Sequence, residues 1–219
     1  MPTPDPAALQ AFIRARTAPA QVPLVPELAL YQATEVTALW HATAGELLDW
    51  DDSPFWAFPW AGGHALARHL LDHPSLVAGR RVVDFASGSG LCAIAALRAG
   101  AARALALDQD PFCAAAVALN GALNGVEVGF EEGDALFAPL PGCEVLLAGD
   151  VFYERPLAER SARWFRTLVA QGVQVLAGDA GRAYAPVEGF SVLAEYRVPT
   201  TTAIEDAEVR SARVLQFHP

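Results

Sequence analysis

The stretch running from Arg80 to Leu97 (RRVVDFASGSGLCAIAAL) limits what this chain can fold into more than any other. It reads as a short apolar strand, a glycine-rich turn and an apolar helix. A β-branched run bounded by turn residues suits a buried parallel strand. Gly88 and Gly90 permit backbone conformations and close approaches that a Cβ forbids. The following helix points its free N–H groups and the positive end of its dipole at the turn. Such a turn is a socket for the polar part of a nucleotide-like cofactor. Asp84, at the carboxyl end of the strand, sets the sign of that socket: it repels a diphosphate and attracts an ammonium.

The rest of the chain extends this unit into an α/β series. Asp5-Pro6 starts a helix to about Arg16, with a capping carboxylate and proline at the first helical position. A Pro/Ala linker is expected over 17–23, then an extended segment over 24–31 interrupted at Pro26. Residues 34–48 give no clear period. The segment from Asp51 to His64, with four aromatics in six residues, two prolines and a glycine pair, predicts no regular element. It folds over something flat or apolar, either as an apolar plug sealing the sheet edge or as a loop covering a cofactor, with Trp56 as core filling. A helix over 64–72 follows, stopped before His73-Pro74. Strands are predicted over 102–108, 126–130, 143–148 and 173–177. Helices are predicted over 111–124 and 156–171, the second burying Leu157, Ser161, Trp164, Phe165, Leu168 and Val169. The segments 190–198 and 211–217 are too close for a helical crossover and pair antiparallel. The expected architecture is a Rossmann-like, doubly wound, mainly parallel seven-stranded sheet ending in an antiparallel hairpin. An N-terminal helical and aromatic extension, residues 1–64, would cover the pocket of a core formed by residues 65–219.

Composition narrows the partners. The net charge is −10, and all 15 basic residues are Arg, with no Lys. That balance argues against non-specific nucleic-acid binding, which needs excess cations, and suits a basic partner. Three cysteines (Cys92, Cys113, Cys143) without CxxC spacing predict buried thiols rather than a disulfide framework or metal site. No signal peptide or membrane span is apparent, so a soluble cytoplasmic protein is expected.

Ligands of open α/β sheets lie at the carboxyl ends of the strands. Here four successive strands end at or just before an aspartate: Asp84, Asp108, Asp134 and Asp150. Two cofactors compete for such a pocket. G-x-G-x-x-A from Gly88 to Ala93, with Asp108 twenty residues after Gly88, matches a dinucleotide fingerprint and would give a nicotinamide oxidoreductase. Asp84, however, would face the pyrophosphate. S-adenosylmethionine fits better, since it has no phosphate and carries a sulfonium and an ammonium. Asp84 can hold its amino-acid end, Asp108 its ribose hydroxyls and Asp134 its adenine amine.

Val83 to Gly90 resembles motif I of the class I (seven-β-strand) methyltransferases, D-x-G-x-G-x-G, with Ala86 for the first glycine. That replacement requires a negative φ at residue 86. The segments Pro54 to Leu66 and Leu147 to Glu154 further resemble the electron-transfer-flavoprotein β-subunit lysine methyltransferases and their bacterial nicotinamide N-methyltransferase-like relatives. The resemblance spans about residues 24–217. It implies cofactor contacts from Trp60, the Gly62-Gly63 turn, Asp84, Ala86, Ser87, Gly88, Gly90, Asp108, Gln109, Asp134 and Asp150. Asp150 and Tyr153 match a D-x-x-Y element that faces the amine to be methylated, with Asp150 orienting it and Tyr153 positioning the nitrogen. No metal is implied, and no catalytic chemistry falls to Ser87, Asn120 or the histidines.

The implied reaction is methyl transfer to a lysine of a basic protein, leaving S-adenosylhomocysteine. A free lysine, pKa about 10.4, must first lose a proton, costing roughly 4–5 kcal/mol at neutral pH. A small-molecule N-methyltransferase acting on an amine or pyridine, and a binding module that transfers nothing, are the remaining alternatives.

Overall fold

A computed structural model describes residues 5–33, 39, 54–205 and 207–219. Its centre is a seven-stranded sheet built from β3 (Arg81–Phe85), β4 (Arg103–Asp108), β5 (Gly129–Glu132), β6 (Val145–Ala148), β7 (Gln174–Asp179), β8 (Phe190–Pro199) and β9 (Val209–Phe217). The spatial order is β5-β4-β3-β6-β7-β9-β8. Strands β3 to β7 run parallel, and β9 is antiparallel to both β7 and β8. The chain winds outward from β3 to β5, then returns to β6 on the other side of β3. The switch point therefore lies between β3 and β6, where an open sheet leaves a crevice. The expected sheet, its mainly parallel direction and its antiparallel end are all found.

Side chains of successive strand residues enter opposite cores. Val82, Val145, Leu147 and Leu176 pack with Leu66 and Leu70 of α2 (Ala61–Asp72) and Ile94 of α3 (Leu91–Arg98). Val83, Phe85, Leu146 and Val175 pack on the other face with Trp164, Phe165 and Leu168 of α5 (Arg155–Ala170). The period-2 alternation of the strands thus feeds two layers of helix.

The N-terminal part departs from expectation in three places. Residues 17–22 form strand β1 (Thr17–Val22) rather than a linker, paired antiparallel with β2 (Val25–Ala33). Pro26 does not interrupt β2, because the register shifts at Gln21/Val22 and leaves Pro26 in a bulge, where no ladder N–H is required. The hairpin docks on α4 (Pro111–Leu123) and its C-cap through two amides. Asn124 Oδ1 accepts from Ala29 N at 3.0 Å and its Nδ2 donates to Ala29 O at 2.6 Å. Asn120, wholly buried, accepts from Tyr31 N at 2.7 Å and donates to Ser89 O at 2.8 Å, tying the hairpin to the glycine turn. The helix expected over 5–16 is α1 (Pro6–Arg16), capped by Asp5. Most of 34–53, including the segment without a clear period and Asp51 to Ser53, lies outside the described residues.

The third departure matters most. Gly62 and Gly63 do not form a turn: helix α2 begins at Ala61 and contains both, so the 64/65 division falls inside it. No local side chain caps this helix. Its first N–H groups go instead to distant carboxylates, Ala61 N to Glu205 at 3.1 Å and Gly62 N to Asp150 at 3.1 Å. Glu205 ends the short helix α6 (Thr202–Glu205) in the β8–β9 connection. Strand β5 also starts later than expected, at Gly129, because Val126 N bonds back to Gly121 O and completes the end of α4.

Candidate active site

A cavity of about 440 Å³ opens over the carboxyl ends of β3, β4 and β6. Trp60, Gly63, Asp84, Ala86, Ser87, Gly88, Asp108, Gln109, Asp134, Asp150 and Tyr153 all line it. Gly62 and Gly90, also expected at the cofactor, do not. Gly62 is a packing residue: a Cβ there would collide with the Gly149 carbonyl oxygen and come within 2.8 Å of that of Gly178. Gly90 is the left-handed N-cap of α3 at φ +78°, pressed on Val117. Trp56 is core, stacked on Phe112 with centroids 5.5 Å apart.

The floor of the cavity is acidic. Asp84 is buried, and its Oδ2 accepts from Ala93 N in the first turn of α3 at 2.9 Å. Burial pushes its pKa up to about 8, with the Ala93 N–H opposing and Asp108 adding to the rise. A cation placed beside it would restore the carboxylate. Asp108 Oδ2 accepts from Gly88 N at 2.9 Å and Oδ1 from Asp110 N at 3.1 Å, so the acid at the tip of β4 organises the glycine turn. Gly88 needs its positive φ of 51° for that approach. Ala86 also has a positive φ, 52°, contrary to the negative value expected. An L-residue in this region is strained by roughly 1 kcal/mol. Asp134 is half-exposed and bonded to Arg160 at 2.9 Å and Leu136 N at 3.1 Å; Arg160 holds its carboxyl below the usual range. Cys92 is buried at the wall, and its thiol is pushed well up by burial.

The second end is aromatic at the rim and ionic beneath. Tyr153 (41% exposed) lies 5.6 Å from the Phe55 ring, and Phe55 lies 5.6 Å from Trp60. Trp60 Nε1 donates to Phe55 O at 3.0 Å, which fixes the indole. Asp150 below is not a free carboxylate. Arg182 Nε donates to its Oδ1 and Nη2 to its Oδ2, both at 2.8 Å. Burial raises the Asp150 pKa, and Arg182 opposes the rise. Arg182, which lines the cavity and reaches on to Glu205, went unnoticed in the sequence. Its only local signal is an arginine just past β7, a strand expected to end at Ala177 that extends to Asp179.

The donor set fits S-adenosylmethionine. A pyrophosphate would meet Asp84 and Asp108, whereas an ammonium finds the buried Asp84 and a ribose the partly buried Asp108. No group of three or more His, Cys, Asp or Glu that could hold a metal occurs among the described residues. Fold and site together define a class I S-adenosylmethionine-dependent methyltransferase, the class that Val83 to Gly90 implied.

Comparison with known proteins agrees. The family model for ribosomal protein L11 methyltransferase matches residues 65–137. The electron transfer flavoprotein β-subunit lysine methyltransferase of Rattus norvegicus is 36% identical over 204 residues, covering 90% of this chain and 78% of the relative. That of Xenopus laevis is 34% identical, covering 96% and 87%. The chain belongs to this lysine methyltransferase family. Among solved structures, a Pyrococcus horikoshii protein inferred to be an RNA methyltransferase superposes with a TM-score of 0.56 at 14% identity, over 85% of this chain and 98% of that one; at that identity it bears on the fold alone.

Proposed function

We propose that this enzyme methylates lysine side chains of a basic protein, with the electron-transfer-flavoprotein β-subunit of its source cells as the acceptor. The observation that carries this reading is the buried Asp150 carboxylate in the same acid-floored cavity as the half-exposed aromatic rim of Phe55 and Tyr153. Half-exposed Phe55 and Tyr153 leave room for a lysine arriving on the surface of a large molecule. When bound, S-adenosylmethionine supplies an electrophilic methyl: the lysine nitrogen lone pair forms the N–C bond, the C–S bond breaks, and its electrons leave with sulfur as the neutral thioether.

The chain's own residues supply alignment and exclude water. Asp84 holds the ammonium end of the cofactor. Asp108 holds the ribose and the glycine turn together. The Tyr153 hydroxyl and ring position the incoming nitrogen, and Asp150 accepts one of its N–H bonds. The segment from Pro54 to His64 covers the cofactor pocket, with Trp60 as its cofactor-facing residue, and the enzyme works in the cytoplasm. The test is incubation with methyl-labelled S-adenosylmethionine and purified β-subunit, read by mass spectrometry. Label on β-subunit lysines is expected. An unlabelled β-subunit beside a different labelled protein in the cell lysate would replace the acceptor.

A further inference from the structure

Beside the acceptor end of the cavity, two buried carboxylates share one guanidinium. Arg182 gives Asp150 two N–H bonds at 2.8 Å and gives Glu205 two more, at 2.9 and 2.8 Å. The three side chains are 7% (Asp150), 14% (Arg182) and 1% (Glu205) exposed. The Arg182 guanidinium carbon also sits 5.9 Å from the centre of the Trp60 ring.

A carboxylate offers about four acceptor directions. Asp150 has three in use, two for Arg182 and one for Gly62 N, and the fourth is on Oδ1. An unpaired buried carboxylate would attract a lysine as ammonium and hold its proton on. A carboxylate matched by a guanidinium can still accept one N–H bond, with little charge left to stabilise the ammonium.

The surrounding charges balance. Asp179 takes the Arg182 backbone N–H at 3.0 Å and pairs with Arg213 at 2.7 Å. Arg210 lies 3.4 Å from Glu205. Asp150, Glu205 and Asp179 thus face Arg182, Arg210 and Arg213, three against three. Glu154 lines the same cavity at its exposed side, and Cys92, close enough to feel the Asp150 charge, is kept as the thiol by burial.

We propose that Arg182 is a positioning residue for methyl transfer: it fixes the Asp150 carboxylate at the acceptor end and cancels its charge, so that lysine is received as the neutral amine. The proposal rests on the lysine-methylating reading above. Glu205 completes the device by fixing Arg182 from the far side, which makes the β8–β9 connection part of the site.

The experiment compares kcat and KM across pH for the wild type, Arg182→Lys and Arg182→Met/Glu205→Gln, with calorimetric S-adenosylhomocysteine binding and melting curves alongside. Arg182→Met/Glu205→Gln should move the rising limb of kcat/KM to higher pH by about one unit. Its kcat at neutral pH should fall at least tenfold while the S-adenosylhomocysteine Kd stays within threefold. Arg182→Lys keeps the charge and loses the fork. It should restore the limb to its wild-type position while leaving kcat several-fold low. A purely structural role predicts lower melting temperatures with an unmoved limb, and that result overturns the proposal. If the double variant does not fold, Arg182→Lys decides: reduced kcat with unchanged KM supports the proposal, and wild-type kcat overturns it. Wild-type enzyme that leaves every lysine unmethylated, whatever protein is offered, overturns the functional reading itself and the proposal with it.

Discussion

The backbone N–H of Gly88 donates to the Asp108 carboxylate at 2.9 Å, across the twenty residues that separate them. One side chain at the tip of β4 thereby holds the turn that follows β3, before any cofactor arrives. Hydrogen bonds to a charged acceptor contribute about 1.5–3 kcal/mol each, and Asp108→Ala removes those to Gly88 and Asp110 as well as the ribose contact proposed for it. The S-adenosylhomocysteine Kd should weaken at least tenfold by calorimetry. An unchanged Kd would take Asp108 out of the pocket.

The hold proposed for Asp84 on the cofactor's ammonium predicts pH-dependent binding. With a pKa pushed up to about 8 by burial, it is mostly protonated at neutral pH in the free enzyme. Binding an ammonium requires the carboxylate, so the proton must leave. Affinity for S-adenosylhomocysteine should therefore rise as pH goes from 6.5 to 8, by up to tenfold per unit, with proton release visible as buffer-dependent enthalpy. Asp84→Asn should bind weakly and lose this dependence. The same group acts on the free fold in the opposite direction. Between about pH 4 and 8 the native state holds a proton that the unfolded chain has lost, so this contribution weakens stability as pH rises.

Tyr153 and the cofactor end are separable. Tyr153→Phe keeps the ring against Phe55 and removes the hydroxyl. Methyl transfer should fall at least tenfold in kcat, with S-adenosylhomocysteine binding unchanged. Normal turnover would remove the hydroxyl from the mechanism.

Ala86 carries backbone strain that glycine would relieve. At φ 52°, Ala86→Gly should raise stability by about 1 kcal/mol, or roughly 2–4 °C in melting temperature for a chain of this size. A lower melting temperature would mean that the lost Cβ makes packing contacts worth more than the strain.

Gly62 tests packing against cofactor contact. An added Cβ has the Gly149 and Gly178 carbonyls in its way, and neither can turn aside without breaking a strand end. Gly62→Ala should cost about 3 kcal/mol or more, the upper end of overpacking, and lower the melting temperature by roughly 6 °C or more. If stability held and only cofactor affinity fell, the assignment as a packing glycine would be wrong.

What the sequence disclosed is what local chemistry controls. The strand, glycine turn and helix of residues 81–98 are written in consecutive residues, and Asp84, Asp108, Asp134 and Asp150 all reach one cavity because parallel strands share an end. What it hid is what distant residues control. Proline normally argues against a strand, yet Pro19 and Pro26 sit in a two-stranded ribbon whose edge and bulge tolerate them. A glycine pair normally marks a turn, yet Gly62 and Gly63 open a helix whose caps come from residues 88 and 144 positions away. Arg182 was invisible for the same reason, since its meaning depends on Asp150 and Glu205, neither of which is near it in sequence. Asp134 shows the converse: its position was legible, and its pairing with Arg160 was not.

The start of α2 and the ends of β6 and β7 meet backbone to backbone at Gly62, Gly149 and Gly178, with no side chains between them. A joint of this kind has nothing to trim or enlarge, so natural drift and laboratory evolution alike have little purchase there. New acceptors are better sought by replacing Phe55 at the entrance, where a half-exposed ring can be exchanged without disturbing the foundation beneath it.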